Sequence, residues 1–204
     1  MEKDDLYGIL SGVFCASLII SNILAFKTFM IGSVVLPTAV ILFPIVYITN
    51  DILAEVFGFE RTKIVIMTGF TMNLVAVIGY NVAIKLPANP FFEGQEAFQT
   101  VLSNSFRVLV ASMVSYIIGS LVNAKVMDKM KNGKSLFNRC VLSTFAGEGL
   151  DALVFITIAF AGTMPTASLM TMILCQAMFK TMYEVACFPI TKKLIIQAKL
   201  ISDQ

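Results

Sequence analysis

The stretch CVLSTFAGEGLDALVFITIAFA, residues 140–161, decides the class of fold. An α-helix needs about 20 predominantly apolar residues to cross the hydrocarbon core of a bilayer, and this run has that length. The rest of the chain agrees, because 57% of its 204 residues are hydrophobic and only 14% are charged. A soluble domain usually carries about 25% charged residues. We therefore expect an integral membrane protein.

Five further apolar runs of similar length give a bundle of six helices. The predicted transmembrane helices span about 6–26, 34–57, 64–86, 106–127, 140–161 and 167–196. The connections are short, so residues 1–204 are expected to form a single transmembrane domain of the all-α class. The exception is the connection 87–105, which fits an interfacial helix, a re-entrant cap over a site or a surface loop.

The distribution of lysine and arginine predicts the orientation of the bundle. Most of these residues lie on one side, at the two termini and in the second-to-third and fourth-to-fifth connections. The positive-inside rule therefore predicts a multi-pass protein with both termini in the cytoplasm. The acidic N-terminus is unlike a cleavable signal, so the first apolar run is expected to be a retained helix.

Several functional classes are disfavoured by what the sequence lacks. It has no histidine, no phosphate-binding loop, no HExxH and no GxSxG motif, so we expect no enzyme activity. Its four cysteines are far apart within apolar runs, and neither a metal site nor a cofactor is expected. The net charge of +2 provides no basic field for nucleic acid.

The most informative residues are charged groups inside the last two apolar runs. Glu148 and Asp151 are three residues apart near the middle of the fifth helix, and so share one face. The sixth helix carries Gln176, Lys180 and Glu184 at four-residue spacing. Lys180 can neutralise Glu148, Asp151 or Glu184, because buried charges usually need partners. Ion pairing and solute binding are compatible readings of this set.

Four other polar residues within the runs are open to two readings each. Asp51 and Glu55 share a face near the end of the second helix, where they fit either an ion-pair network or a gating and coupling role. Asn73 fits either interhelical hydrogen bonding or solute binding. Arg107 fits an interfacial anchor or, together with Glu184, a gating role.

Small residues recur at four-residue spacing on two helices, which lets helix backbones approach closely in lipid. The two stripes are Gly8, Gly12 and Ala16 on the first helix, and Ala111, Ser115 and Gly119 on the fourth.

Two motifs in combination carry a family resemblance. The run YITNDILAEVFGF, residues 47–59, has an aspartate, three residues, a glutamate, and then an aromatic residue and a glycine. The fifth helix adds GEGLD at 147–151, and the sixth adds Lys180, Glu184, Pro189 and Thr191. Over nearly its whole length the chain resembles the queuosine precursor transporter family, also called the vitamin uptake transporter family.

The resemblance implies a fold and a solute. The fold would be a six-helix bundle akin to the substrate-binding subunits of energy-coupling-factor transporters, in the bacterial inner membrane. The solute would be a 7-deazaguanine base for tRNA modification, such as 7-cyano-7-deazaguanine, 7-aminomethyl-7-deazaguanine or queuine. The expected substrate-binding residues are Glu148, Asp151, Asn73, Gln176 and Lys180, since a carboxylate can accept the paired N–H donors of a guanine-like edge.

Several modes of action stay open at this point. The chain fits a self-sufficient carrier, or a vitamin-binding subunit that depends on an ATP-driven partner module. A channel is a further alternative. A homodimer through a small-residue face is also compatible with the sequence.

Overall fold

The computed structural model describes residues 3–32, 34–130 and 136–202. The described chain is mainly helical, with one small hairpin and short connections, and its helices pack into a single bundle. The elements in chain order are α1 (Lys3–Leu24), β1 (Thr28–Ile31), β2 (Val34–Pro37), a 3-10 turn (Thr38–Ile41), α2 (Phe43–Lys85), α3 (Gln95–Leu102), α4 (Ser105–Lys129), α5 (Leu136–Phe160) and α6 (Thr166–Ser202).

The long helix α2 consists of two arms joined at Gly58. Gly58 has φ +80° and ψ 169°, a conformation outside the helical region that glycine adopts without a Cβ clash. Phe57 packs 5.2 Å from the ring of Tyr7, and the Tyr7 hydroxyl donates to the carbonyl of Arg61 at 3.1 Å. Both arms therefore meet at the start of α1, and the chain reverses direction at Gly58. This reversal separates the predicted second and third helices with almost no loop.

The predicted start of the second helix at Val34 is wrong. Thr28–Ile31 and Val34–Pro37 pair as an antiparallel hairpin in which Ile31 is opposite Val34, and the following residues form the 3-10 turn. β-branched residues favour strands, and Gly32 at φ +61° supplies the turn conformation that a two-residue hairpin requires. The helix begins only at Phe43, and Pro44 lies in its first turn. Backbone N–H groups in this turn have no partner within the helix, so a proline there costs no hydrogen bond.

Contacts along the helices define two ends of the bundle. At the hairpin end, Ala25, Phe43 and Met172 belong to one buried apolar cluster. At the opposite end, which we call the terminal end, Lys199 near the end of α6 pairs with Glu55 of α2. α6 therefore runs from the hairpin end to the terminal end, and α1 runs the other way.

Helices α4 and α5 cross at two glycines. A Cβ on Gly119 would lie 2.9 Å from the Asp151 Cβ, and a Cβ on Gly147 would lie 2.8 Å from the Gly119 carbonyl oxygen. Only glycine fits a backbone approach this close. The prediction that the stripe ending at Gly119 permits close helix packing is confirmed. Gly8 and Gly12, by contrast, lie on an exposed face of α1 with no atom within 4 Å of an added Cβ.

The connection 87–105 contains a short helix that packs on α2. The Gln95 side chain donates from Nε2 to the carbonyl of Ile84 at 3.1 Å, while Phe91 and Phe92 are exposed. The connection therefore contains a short helix with exposed aromatic residues beside it, and the choice among the three readings stays a prediction.

Among the described residues, four helical stretches are long and apolar enough to cross a membrane. They are Lys3–Leu24, Glu60–Lys85, Gln95–Asn123 and Val141–Phe160. The first arm of α2, residues 43–57, is shorter, and α6 carries Gln176 and Lys180 within its apolar part. The molecule is thus an all-α membrane protein with at least four candidate spans.

Candidate functional site

A cluster of charged side chains lies inside the bundle between α2, α5 and α6. The ammonium of Lys180 contacts a carboxylate oxygen of Asp151, lies 3.0 Å from Oε2 of Glu148, and donates to the Tyr47 hydroxyl at 2.8 Å. The side chains of Lys180, Glu148 and Asp151 are only 3%, 13% and 10% exposed. We call Tyr47, Glu148, Asp151 and Lys180 the ion cluster.

The local helix geometry explains why these groups meet. Glu148 and Asp151 are three residues apart on α5, so both carboxylates point to the same side of the helix. The glycine crossing brings α4 against the back of Asp151 and leaves the carboxylate facing α6. The expectation that Lys180 neutralises Glu148 and Asp151 agrees with this geometry.

Aromatic rings form a wall beside the ion cluster. The Lys180 ammonium lies 4.6 Å from the centroid of the Phe43 ring and 5.1 Å from that of Tyr47, which are cation–π distances. Phe155 packs edge-on against Phe43 with centroids 6.4 Å apart. These rings were not among the site residues predicted from the sequence, although Phe43, Tyr47 and Asp51 recur every four residues along one face of α2.

A polar cleft opens on one side of the ion cluster, between α2, α4 and α5. Its volume is about 460 Å³, including the part open to solvent. Two of its lining residues are paired, because the Tyr116 hydroxyl donates to Oδ1 of Asn50 at 3.0 Å. This bond fixes the amide of Asn50. The cleft is lined by Tyr47, Asn50, Asp51, Tyr116, Gly119, Ser120, Asn123, Glu148 and Asp151.

A second, mainly apolar cleft lies on the other side of the cluster, between the first arm of α2 and α6. Its volume is about 390 Å³ with its open part, and Phe43, Pro44 and Phe179 form much of its wall. Tyr47 and Asp51 line both clefts. These two residues therefore stand between a polar and an apolar space.

The other two predicted substrate-binding residues lie apart from the ion cluster. Asn73 and Gln176 are both buried, and neither lines the two clefts. Gln176 is one helical turn from Lys180 on α6. The structure thus joins three of the five predicted residues directly and places two elsewhere in the interior.

The four predicted gating or coupling residues have different surroundings. Asp51 lines both clefts, whereas Glu55 is exposed and paired with Lys199 rather than with the nearby Arg61 or Lys63. Arg107 donates to the carbonyl oxygens of Ile158 at 2.6 Å and Ala161 at 2.5 Å. It therefore caps the last turn of α5, whose carbonyls lack helical partners. The side chain of Glu184 lies outside the described part of the chain.

The arrangement supplies an excess of hydrogen-bond acceptors. Two carboxylates face one ammonium, so the cluster has one negative charge in excess when all three groups are ionised. An ionised carboxylate accepts hydrogen bonds only. A solute with adjacent N–H donors and a flat face could satisfy these oxygens and lie against the rings.

Comparison with known proteins assigns the family. The model of the family described as "Putative vitamin uptake transporter" matches residues 37–194. A curated Haemophilus influenzae protein named "Probable queuosine precursor transporter" is 25% identical over 118 residues, which are 58% of this chain and 49% of that protein. The chain thus spans about half the length of the curated relative it matches. No solved structure matches it.

The matched residues include the ion cluster and every residue that lines the two clefts. The match covers well over half of the chain, and the apolar helices agree with it. The chain belongs to the vitamin uptake transporter family and is a multi-pass membrane protein.

Proposed function

We propose that this protein imports a queuosine precursor, a 7-deazaguanine base, across the bacterial inner membrane for tRNA modification. The observation that carries the proposal is the buried ion cluster beside a polar cleft, within a chain of a transporter family. The curated relative named as a queuosine precursor transporter supports the choice of solute.

The chemistry of the cleft fits a guanine-like base. Such a base carries a ring N–H next to an exocyclic amino group, and a carboxylate can accept both hydrogen bonds in one plane. Glu148 and Asp151 both line the polar cleft and could play this part. The Asn50 amide, held by Tyr116, could meet the carbonyl of the base. Lys180 keeps the two carboxylates close together when no solute is bound.

The surroundings of the cluster fit a flat aromatic solute. Rings of Tyr47 and Tyr116 line the polar cleft, and Phe43 lies directly behind Tyr47 with centroids 6.1 Å apart. Stacking against such rings favours planar heterocycles over sugars or amino acids of similar polarity. A pocket with a few convergent polar groups among apolar walls is typical of small-molecule sites.

The proposal includes the arrangement in the membrane. The first arm of α2 and α6 would join the four apolar stretches to make six spans, as in the substrate-binding subunits of energy-coupling-factor transporters. Both termini would lie in the cytoplasm. The interrupted apolar character of α6 is then explained by its place in the bundle interior, where Lys180 faces carboxylates rather than lipid.

Uptake into vesicles that contain only this protein tests the proposal. We expect saturable uptake of labelled 7-cyano-7-deazaguanine, and an initial rate at least tenfold lower for Glu148→Gln at equal protein level. Glu60→Gln, at an exposed position on the second arm of α2, is the matched control. If the Glu148→Gln variant takes up the solute at the wild-type rate, the proposed site is contradicted. Binding without uptake would instead favour a subunit that needs an ATP-driven partner.

A further inference from the structure

Outside the ion cluster, six side-chain polar atoms on three helices are buried without a hydrogen-bond partner among the described residues. They are Oγ of Ser21, both amide atoms of Asn22, Nδ2 of Asn73 and both amide atoms of Gln176. The four residues are at most 5% exposed. Buried polar groups in folded proteins are nearly always paired, so this concentration requires a physical explanation.

Asn22 and Asn73 lie at the same level of the bundle. Gly69 on the second arm of α2 faces the side chains of Phe14 and Leu18, and a Cβ on Gly69 would lie 3.1 and 3.2 Å from them. Asn73 is one turn beyond Gly69, and Asn22 is one turn beyond Leu18. Since both helix segments run toward the hairpin end, both amides lie one turn in that direction.

Gln176, on α6, lies at a similar level along the bundle to Asn22 and Asn73. Met172 belongs to the same buried cluster as Ala25, near the hairpin end. Moving one turn toward the terminal end leads from Met172 to Gln176 on α6, and from Ala25 to Ser21 and Asn22 on α1. We call Ser21, Asn22, Asn73 and Gln176 the amide layer.

The amide layer is adjacent to the ion cluster and is separated from it by one helical turn, a rise of about 5.4 Å. Gln176 is four residues from Lys180, and Asn22 is four residues from Leu18. Leu18 lines a cavity of about 300 Å³ together with Asp151, Phe43 and Phe155. This cavity reaches from the ion cluster to Leu18, one turn from Asn22, and four aromatic rings line it, those of Phe43, Tyr47, Tyr116 and Phe155.

The composition of the layer restricts what it can hold. It contains neutral amides and a hydroxyl, which offer both donors and acceptors but no charge. Such groups match a neutral planar solute that presents an N–H beside a C=O, as a lactam edge does. A purely structural role would instead require the amides to bond one another, the backbone or buried water, and the described structure contains no bonds from these atoms to other protein groups.

We propose that the amide layer is a second solute-binding site, on the hairpin side of the ion cluster. Its four residues are buried in this conformation, and a neutral lactam-bearing heterocycle satisfies its amides on the way to or from the carboxylates. This inference rests on the proposed function for the identity of the solute. The unpartnered amides carry it independently of that function.

The test uses the purified full-length protein and three variants. Asn22→Leu and Gln176→Met replace each amide by an apolar side chain of similar shape. Thr62→Val is the matched control, because Thr62 is buried at the terminal end and its hydroxyl is already bonded to the Gly58 carbonyl at 2.9 Å. For each protein, the unfolding temperature without solute and the Kd for 7-cyano-7-deazaguanine are measured.

For both amide variants we expect at least a tenfold higher Kd and an unchanged or higher unfolding temperature without solute. Loss of a buried unpartnered group should not destabilise the empty protein. Thr62→Val should keep its Kd within twofold of the wild type. A Kd within twofold for both amide variants would overturn the proposal. A lower unfolding temperature in the empty protein, with or without weaker binding, would also overturn it, since the amides would then hold the helices together.

Failure of the proposed function is recognised separately. If the wild-type protein binds none of the deazaguanines, the choice of solute is wrong. The unfolding temperatures of the variants without solute then test the role of the amide layer by themselves. An unchanged or higher unfolding temperature would support a ligand-binding role of these amides. A lower unfolding temperature would overturn the proposed second site.

Discussion

Replacing Lys180 by methionine should destabilise the protein strongly, although the two side chains are similar in length. The ammonium is the charged partner of both Glu148 and Asp151, and its side chain is 3% exposed. Its removal leaves two carboxylates close together in the bundle interior. Removing one partner of a buried ion pair costs about 3–5 kcal/mol. At roughly 2–4 °C per kcal/mol for a chain of this size, the unfolding temperature should fall by about 6–20 °C.

The assay is thermal unfolding of the detergent-purified protein without solute, with Lys199→Met as the control. Lys199 also pairs with a carboxylate, that of Glu55, but these side chains are 46% and 55% exposed. An exposed pair contributes about 0–1 kcal/mol, so the control should change little. A Lys180→Met protein that unfolds within about 2 °C of the control, less than the smallest fall expected, would refute the buried ion cluster.

A triple variant separates the charge effect from the loss of packing. Combining Lys180→Met with Glu148→Gln and Asp151→Asn removes all three charges while the shape of the cluster is nearly kept. Neutral replacements of a whole buried ion-pair network are often tolerated, so most of the lost stability should return. A triple variant as unstable as Lys180→Met would mean that lost packing of the lysine stem, and not unpaired charge, causes the destabilisation.

Three further predictions concern glycines and a helix cap. Gly119→Ala and Gly147→Ala should each lower the free energy of unfolding by about 1–3 kcal/mol, because the new Cβ would lie less than 3 Å from atoms of the facing helix. Gly149→Ala is the control and should leave the free energy of unfolding unchanged, because no atom lies within 4 Å of its added Cβ. Gly58→Ala should cost about 1–3 kcal/mol, because φ +80° with ψ 169° is a backbone conformation that is essentially restricted to glycine. Arg107→Met should cost about 1.5–3 kcal/mol through loss of its bonds to the α5 carbonyls. Denaturant titration of each variant measures these values.

The membrane class and the ion cluster could be predicted from the sequence because both depend on local pattern. Charged residues inside apolar runs stand out, and helical spacing shows that Glu148 and Asp151 share a face. Pairing with Lys180 followed from the rule that buried charges need partners. The close crossing at Gly119 followed from the spacing of small residues.

Other features depended on tertiary contacts that no local pattern encodes. The pairing of Glu55 with Lys199 joins residues that are 144 positions apart in the chain. The hairpin was missed because its β-branched residues continue the apolar run that leads into α2. The importance of Tyr47 becomes clear only once α6 places Lys180 against it.

Asn22 illustrates an intermediate case. A polar residue in the first apolar run was visible in the sequence, and it could have been singled out by the reasoning that was applied to Asn73. What the sequence could not provide is the common level of Asn22 and Asn73 on two separate helices. That level comes from the packing of Gly69 on Phe14.

The most direct test of the central claim is thermal stabilisation of the purified wild-type protein by a panel of solutes. The panel holds 7-cyano-7-deazaguanine, 7-aminomethyl-7-deazaguanine, queuine, guanine, adenine, biotin and riboflavin. A ligand that binds only the folded protein adds about 2.7 kcal/mol at 100 times its Kd, which is roughly 5–11 °C. We expect stabilisation by at least one deazaguanine and by neither vitamin. Stabilisation by biotin or riboflavin alone, or by no member of the panel, would contradict the proposed solute.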